Sequence, residues 1–209
     1  MNPFPNISFH INRLKTLFMD LNKYHILLAS KSPRRREILK LLNIPFSVVN
    51  IDGLDESFPS DMKPEKVSQF IADKKADEFL KRIGDDEVII TADTVVICDD
   101  KILGKPKDKK EAHEMLRFLS GKTHKVTTGV TIATRYKRIS FSSESLVTFA
   151  ELTDEEIEYY IDVFHPFDKA GAYGIQEWIG AVAVAEIDGS FYNVMGLPVH
   201  RLYQELKKF

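Results

Sequence analysis

Short apolar runs alternate with longer amphipathic stretches along the chain, and turn-forming residues separate them. Residues 26–29 (Ile-Leu-Leu-Ala) read as a buried strand. Ser30, Lys31 and Ser32 turn the chain. Ser32 is a good N-cap and Pro33 suits the first helical position, so a helix is predicted over 33–42 with Ile38, Leu41 and Leu42 on its apolar face. Residues 46–51 predict a second strand, and 53–57 a polar loop. Pro64 opens a long helix to Ile83, whose faces are marked by Val67, Phe70, Ile71, Lys74 and Phe79. Residues 88–96 are strongly strand-like, and Asp99-Asp100 ahead of Ile102-Leu103 predicts a hairpin. A helix over 109–119 is closed by Ser120-Gly121. Two β-rich stretches, 125–134 and 140–149, are joined through 135–138. Thr153 caps an acidic helix over 154–163, and Glu156 completes a capping box. A glycine-containing loop spans 168–176. Residues 179–187 predict a strand, Asp188-Gly189 a turn, and 197–207 a closing helix with Pro198 at its start. Helices and strands alternate first and hairpins come later, which predicts an α/β fold built on a mixed sheet with flanking helices.

The first 22 residues stand outside this pattern, with Pro3, Pro5, four asparagines and an amphipathic patch over 11–21. A signal peptide needs a basic start and an apolar block of roughly 7–15 residues. Residues 1–10 contain neither Lys nor Arg, and Arg13, Lys15 and Asp20 interrupt the apolar positions of 11–21. Residues 1–22 therefore read as a dispensable extension, with Met19 as an alternative start, and 23–209 as one domain.

Composition narrows the function classes. Of 209 residues 44% are hydrophobic, enough for a substantial core. The balance of 29 basic against 31 acidic residues leaves a net charge of −2, unlike a general nucleic-acid binder. Any anion binding must come from a local cluster. The single cysteine, Cys98, excludes an intrachain disulfide. Its apolar surroundings read as core, which fits a reducing compartment, the cytoplasm. The six histidines show no metal-binding spacing, and no apolar run approaches the roughly 18 residues of a membrane span.

Two stretches carry candidate chemistry. Arg34, Arg35 and Arg36 fall in the first turn of the helix after Ser32, where the partial positive charge of the helix end disfavours cations by roughly 0.3–1 kcal/mol each. Two serines, free backbone N–H groups and three arginines make an anion site suited to a phosphate chain. A capped helix with a solvated basic edge is the other reading. Asp93 is a carboxylate in an apolar strand, and it must meet water, a metal or a cation. A bulge or turn in which it accepts from backbone N–H groups stands beside a role as metal ligand or base. An ordinary aspartate, with a pKa near ~3.9, is a poor base at neutral pH unless it is buried or acts beside a metal. Glu56 offers a second hard oxygen from a polar loop. Lys75, next to Lys74, reads either as a solvated helix face or as a phosphate partner. Lys105, in Leu-Gly-Lys-Pro, sits in a stiff turn that fixes its ammonium group. The glycines of 168–176 allow close backbone approach to a ligand, or a tight structural connection.

Six blocks, in order and at ordinary spacing, resemble the Maf nucleotide pyrophosphatases. They are Ala-Ser-Lys-Ser-Pro-Arg-Arg-Arg-Glu at 29–37, Ala-Asp-Thr-Val-Val at 92–96, Gly-Lys-Pro at 104–106, Leu-Ser-Gly-Lys-Thr-His at 119–124, Asp-Lys-Ala-Gly-Ala-Tyr-Gly-Ile-Gln at 168–176 and Gly-Leu-Pro at 196–198. The resemblance implies a Maf/ITPase-like fold with two lobes around a central cleft, often a homodimer. It implies hydrolysis of a nucleoside triphosphate to the monophosphate and pyrophosphate, with a divalent cation, Mg²⁺ or Mn²⁺. Asp93 falls on the family's proton acceptor, with Glu56 and Asp93 as metal ligands. Arg34, Thr94 and Gln176 fall on positions linked to substrate choice. Ser30, Glu56, Lys75 and Lys105 match polar site positions, and Arg35, Asp168 and Lys169 complete the substrate-binding set. Glu177 departs from the pattern, because many members have Gly after the Gln.

The mechanism implied is attack of water on the α-phosphorus with pyrophosphate leaving. Asp93 orients or deprotonates the water, and Arg34, Arg35, Lys75 and Lys105 stabilise the developing phosphate charge. The 168–176 block resembles the branch acting on dTTP and UTP. An amide such as that of Gln176 meets the imide edge of uracil or thymine with one acceptor and one donor. A 5-methyl group leaves that edge free, so modified pyrimidine nucleotides are expected substrates too. The alternatives are a 7-methyl-GTP pyrophosphatase, or a nucleotide-binding regulator of cell division and septum formation with little turnover. The carboxylate and the lysines favour the enzyme. Neither nucleic acid nor membrane is an expected partner.

Overall fold

The computed structural model describes residues 23–50 and 53–209. Within them a seven-stranded mixed sheet has the order β2-β1-β3-β5-β6-β7, with β4 paired to β3. The apolar run forms β1 (His25–Ala29), which lies parallel to both β2 (Ser47–Val49) and β3 (Glu87–Cys98). The other pairings are antiparallel: β3 with β4 (Lys101–Leu103) and β5 (Thr123–Ala133), β5 with β6 (Arg138–Phe149), and β6 with β7 (Val184–Asp188). The expected hairpin turns at Asp99 and Asp100, both with positive φ (48° and 60°), as a two-residue turn matched to strand twist requires.

Among the described residues seven helices frame the sheet: α1 (Pro33–Lys40), α2 (Pro64–Leu80), α3 (Lys109–Leu119), α4 (Asp154–Phe164), α5 (Trp178–Val182), α6 (Phe191–Val194) and α7 (Val199–Leu206). The expected caps form. Ser32 Oγ accepts from the Arg35 N–H, and Thr153 and Glu156 make a reciprocal capping box.

α2 covers one face of the long strands, packing Phe79 on Leu27 and Ile89 and packing Val67 and Ile71 on Val95 and Ile97, and the other face carries two cores. Val88, Ile90 and Ala92 pack with Ile38, Leu39, Leu202 and Leu206 from α1 and α7. Val96 and Cys98, at the other end of β3, pack with Leu116, Leu119, Ile157 and Tyr160 from α3 and α4. These are the two lobes, and a cleft lies between them. Its position is set by strand lengths. β1 stops at Ala29, opposite Thr91, while β4 begins its pairing at Val96. Among the described residues, 92–95 have no strand partner on that edge. The opening lies beyond the carboxyl end of a parallel strand, where ligands bind in open α/β sheets.

Several local expectations are corrected. α1 ends at Lys40; Ile38 is buried and Leu42 packs on the core as expected, but Leu41 is 60% exposed and Leu39 takes its place in the buried face. The strand expected over 179–187 is α5 followed by the short edge strand β7. An apolar run of this length fits either element. Gly180 allows the helical turn: a Cβ there would lie 1.8 Å from the Ile175 carbonyl oxygen. The short helix α6 has no counterpart in the sequence reading. The loop at 168–176 contains a 3₁₀ turn at Ala170–Ala172 and adjoins another at Pro166–Asp168. Residues 1–22, with their reading as an extension, and Ile51 of the expected second strand lie outside the described residues. No helix among the described residues is long and apolar enough to cross a membrane.

Candidate active site

Asp93 occupies a regular ladder position in β3, opposite Gly129, so the bulge or turn does not form. Its partner is Lys75, whose Nζ lies 2.8 Å from Asp93 Oδ1 and 2.9 Å from Glu56 Oε1. Lys75 and Asp93 are largely buried, with side-chain exposures of 12% and 14%. Lys75 is held there by helix periodicity. It belongs to the stripe Ser68, Ile71, Ala72, Lys75, Ala76, Phe79, whose other members are buried against the sheet. Lys74 points elsewhere, to Asp55 and the Ser57 carbonyl. Gly129 sets the distance between helix and sheet: a Cβ there would lie 2.4 Å from backbone atoms of Gln69 in α2. Burial opposes ionisation of Glu56, but the hydrogen bond and charge of Lys75, with Lys105 and Arg35, outweigh it and hold its pKa below the usual value.

The start of α1 forms the opposite wall. Arg34 Nη1 donates to Asp168 Oδ2 at 2.7 Å. Asp168, from a loop 134 residues away, thus brings the negative charge that the first turn of α1 lacks. Burial works against the Asp168 charge, yet hydrogen bonds from Lys169 and Arg34 prevail and lower its pKa to about 2. Arg35 is fixed more tightly. Its Nε donates to the Gly196 carbonyl at 2.7 Å and its Nη2 to Thr94 Oγ1 at 3.0 Å. Thr94 in turn meets Thr128 at 2.9 Å, and Thr128 donates to the Asn193 carbonyl. Ser30 Oγ accepts from the Ser32 N–H at 3.2 Å and shapes the turn. Arg36 is exposed and does not line the cleft, so two of the three arginines contribute to it.

The cleft measures about 440 Å³ and is lined by every residue singled out above as catalytic or substrate-binding, from Ser30 to Gln176. Lys105 is exposed on its rim, and the Gly104 carbonyl ties its turn to the Gly171 N–H at 3.0 Å. Lys169 is buried between two carboxylates, 2.9 Å from Asp168 Oδ1 and 3.1 Å from Glu177 Oε1. Gln176 is exposed at the far side.

The sequence reading singled out Gly196 only as part of a motif and missed both its carbonyl's anchoring of Arg35 and the clustering of Glu177 with Tyr160 and Lys169. Carbonyls carry no side-chain signature, whereas Lys75, named from the sequence, stands as a cation in an otherwise buried helical stripe. Among the described residues no group of three or more His, Cys, Asp or Glu side chains converges as a ready metal site. Asp93 and Glu56 together match an ion that takes one or two carboxylates and completes its shell with water and substrate phosphate oxygens.

A family model described as "Maf-like protein" matches residues 25–209. A dTTP/UTP pyrophosphatase of Porphyromonas gingivalis is 54% identical over 192 residues, covering 91% of this chain and 96% of that protein. A dTTP/UTP pyrophosphatase of Parabacteroides distasonis is 53% identical, covering 91% and 98%. One from Christiangramia forsetii is 43% identical, covering 90% and 95%.

Proposed function

The chain belongs to the Maf family, and on that footing we propose that it hydrolyses dTTP and UTP to the monophosphate and pyrophosphate. The observation that carries this reading is the pairing of Asp93 and Glu56 through Lys75 across from a wall of arginines in one cleft. Relatives named for the same reaction at about half identity support it.

In this reading the triphosphate lies between the α1 turn and Lys105, with Arg34 and Lys105 on its oxygens. Arg35 keeps a fixed direction because its Nε and Nη2 are already bonded. Such donors, set before the reaction, stabilise the charge that grows on the phosphates as the anhydride bond breaks. Lys75 occupies Asp93 Oδ1, leaving Oδ2 to align a water in line with the α-phosphorus and to accept its proton as the new P–O bond forms. Asp93 and Glu56 would hold a Mg²⁺ or Mn²⁺ ion, which when bound polarises the phosphoryl oxygens. A homodimer and a cytoplasmic setting belong to the same proposal, the latter supported by the buried, unpaired Cys98.

The test is kcat/KM for pyrophosphate release measured side by side on dTTP, UTP, CTP, GTP and 7-methyl-GTP. A clear preference for dTTP and UTP is expected. Preference for 7-methyl-GTP, or equal rates on all five, overturns the substrate assignment. Binding without turnover overturns the enzyme.

A further inference from the structure

We propose that Glu177 is a specificity-determining positioning residue: it fixes the orientation of the Gln176 amide and so selects an imide-edged base over cytosine. The inference rests on the reading that Gln176 meets the base. Its starting point is an ambiguity in glutamine itself. The amide presents one acceptor and one donor side by side, and a half-turn exchanges them. One orientation fits uracil or thymine, whose ring N–H lies beside a carbonyl. The other fits cytosine, whose ring nitrogen accepts and whose amino group donates. Gln176 therefore discriminates only if a neighbour forbids the half-turn.

Glu177 is that neighbour. Gln176 Nε2 lies 3.5 Å from Glu177 Oε1. This is long for a hydrogen bond, but its direction does not depend on its length. An ionised carboxylate only accepts, so the amide NH₂ must face it. After a half-turn the Gln176 carbonyl oxygen would stand against a negative charge. With the NH₂ toward Glu177, one N–H points at the carboxylate. The other N–H and the carbonyl oxygen remain as the free edge, which complements an imide.

The carboxylate is itself immobilised. Lys169 Nζ reaches Oε1 at 3.1 Å, and the Glu177 side chain is only 19% exposed. The Tyr160 hydroxyl donates to Oε2 and accepts from the Gly174 N–H at 3.0 Å. Burial and the Glu177 charge both push the Tyr160 pKa up, so the hydroxyl keeps its proton for Glu177. Gly174 makes room for the arrangement. A Cβ there would lie 2.8 Å from Glu177 Cδ and 3.0 Å from Gln176 Nε2.

The experiment measures kcat/KM for UTP and CTP in the intact protein, in Glu177→Gln, in Gln176→Ala and in the double variant, alongside thermal melts. Glutamine at 177 keeps the size and can donate to a turned amide. The UTP/CTP ratio should fall at least about tenfold in Glu177→Gln, with kcat/KM for CTP rising, a small part of what a site pairing a buried polar edge can reach. In the Gln176→Ala background the same change should leave the ratio within about threefold. A ratio unmoved by Glu177→Gln, or an equal fall with and without Gln176, overturns the proposal. The second outcome would mean that Glu177 acts through Lys169. If Glu177→Gln does not fold, Glu177→Gly replaces it, with the same expectation for the ratio. An intact protein that does not prefer UTP to CTP removes the base-reading role of Gln176, and this proposal with it, before any variant is needed.

Discussion

Replacing Asp93 with asparagine changes the charge at the centre of the cleft and almost nothing of its shape. Lys75 lies 2.8 Å from Asp93 and 2.9 Å from Glu56. In Asp93→Asn the ammonium keeps Glu56, and an amide oxygen can still accept from it, so no buried charge is stranded. The loss is that of weakening one charge-assisted hydrogen bond, about 1–2 kcal/mol. For a chain of this size that lowers Tm by about 2–8 °C. Activity should fall much further, because an amide cannot take the proton. Loss of a general base reduces the rate roughly 10²–10⁴-fold, or about 2.7–5.4 kcal/mol at the barrier. Lys75→Met provides the contrast in stability. It removes the cation beside the largely buried Asp93 and strands that carboxylate, whereas Glu56 is half exposed and stays solvated; breaking a buried pair in this way costs about 3–5 kcal/mol. The assay pairs thermal melts with kcat for UTP at saturating Mg²⁺. A folded Asp93→Asn protein that keeps more than about one-fifth of the turnover refutes the catalytic role. A lower Tm for Asp93→Asn than for Lys75→Met refutes the view of Lys75 as a shared bridge.

Gly129→Ala should destabilise the protein by about 1–3 kcal/mol and depress turnover, since the new methyl meets the α2 backbone and displaces the helix that carries Lys75; melts and kcat read the two effects. His124 is buried and its pKa is lowered to about 4 from 6.5, so it binds its proton more readily in the unfolded chain. Its contribution is complete above pH 6.5 and is lost as pH falls toward 4; Tm plotted over that window should drop less steeply for His124→Phe than for the intact protein. The Asp168 carboxylate, with its pKa lowered from 3.8 to about 2, favours the folded state above pH 3.8 and loses that contribution as pH falls to 2. The Tm gap between the intact protein and Asp168→Asn should therefore close over that range, and a constant gap would show that the charge is not what matters.

What could be read along the chain was what neighbouring residues decide among themselves. Ser32 and Pro33 set the start of α1, and Thr153 with Glu156 set the start of α4, because a cap is a bond across three residues. Asp99-Asp100 marked its hairpin for the same reason. The six short blocks are likewise runs of at most nine neighbouring residues, so the family and the identity of the polar residues were legible. Their pairing was not. Arg34 finds Asp168 across 134 positions, and Arg35 finds the Gly196 carbonyl across 161. Nothing in either segment names its partner. The run 179–187 read as a strand, yet an apolar stretch that short suits strand or helix, and in the fold the Ile175 carbonyl lies so close to Gly180 that only a residue without a Cβ fits there. Lys75 stood open between a solvated face and a phosphate partner until α2 lay on β3 and β5, with Gly129 as the contact that lets the helix come close. Asp93 had to find a cation, as any carboxylate in an apolar strand must. Which cation, and that the same one also holds Glu56, was decided when helix and sheet packed together, since only that packing brings distant segments to hydrogen-bonding distance.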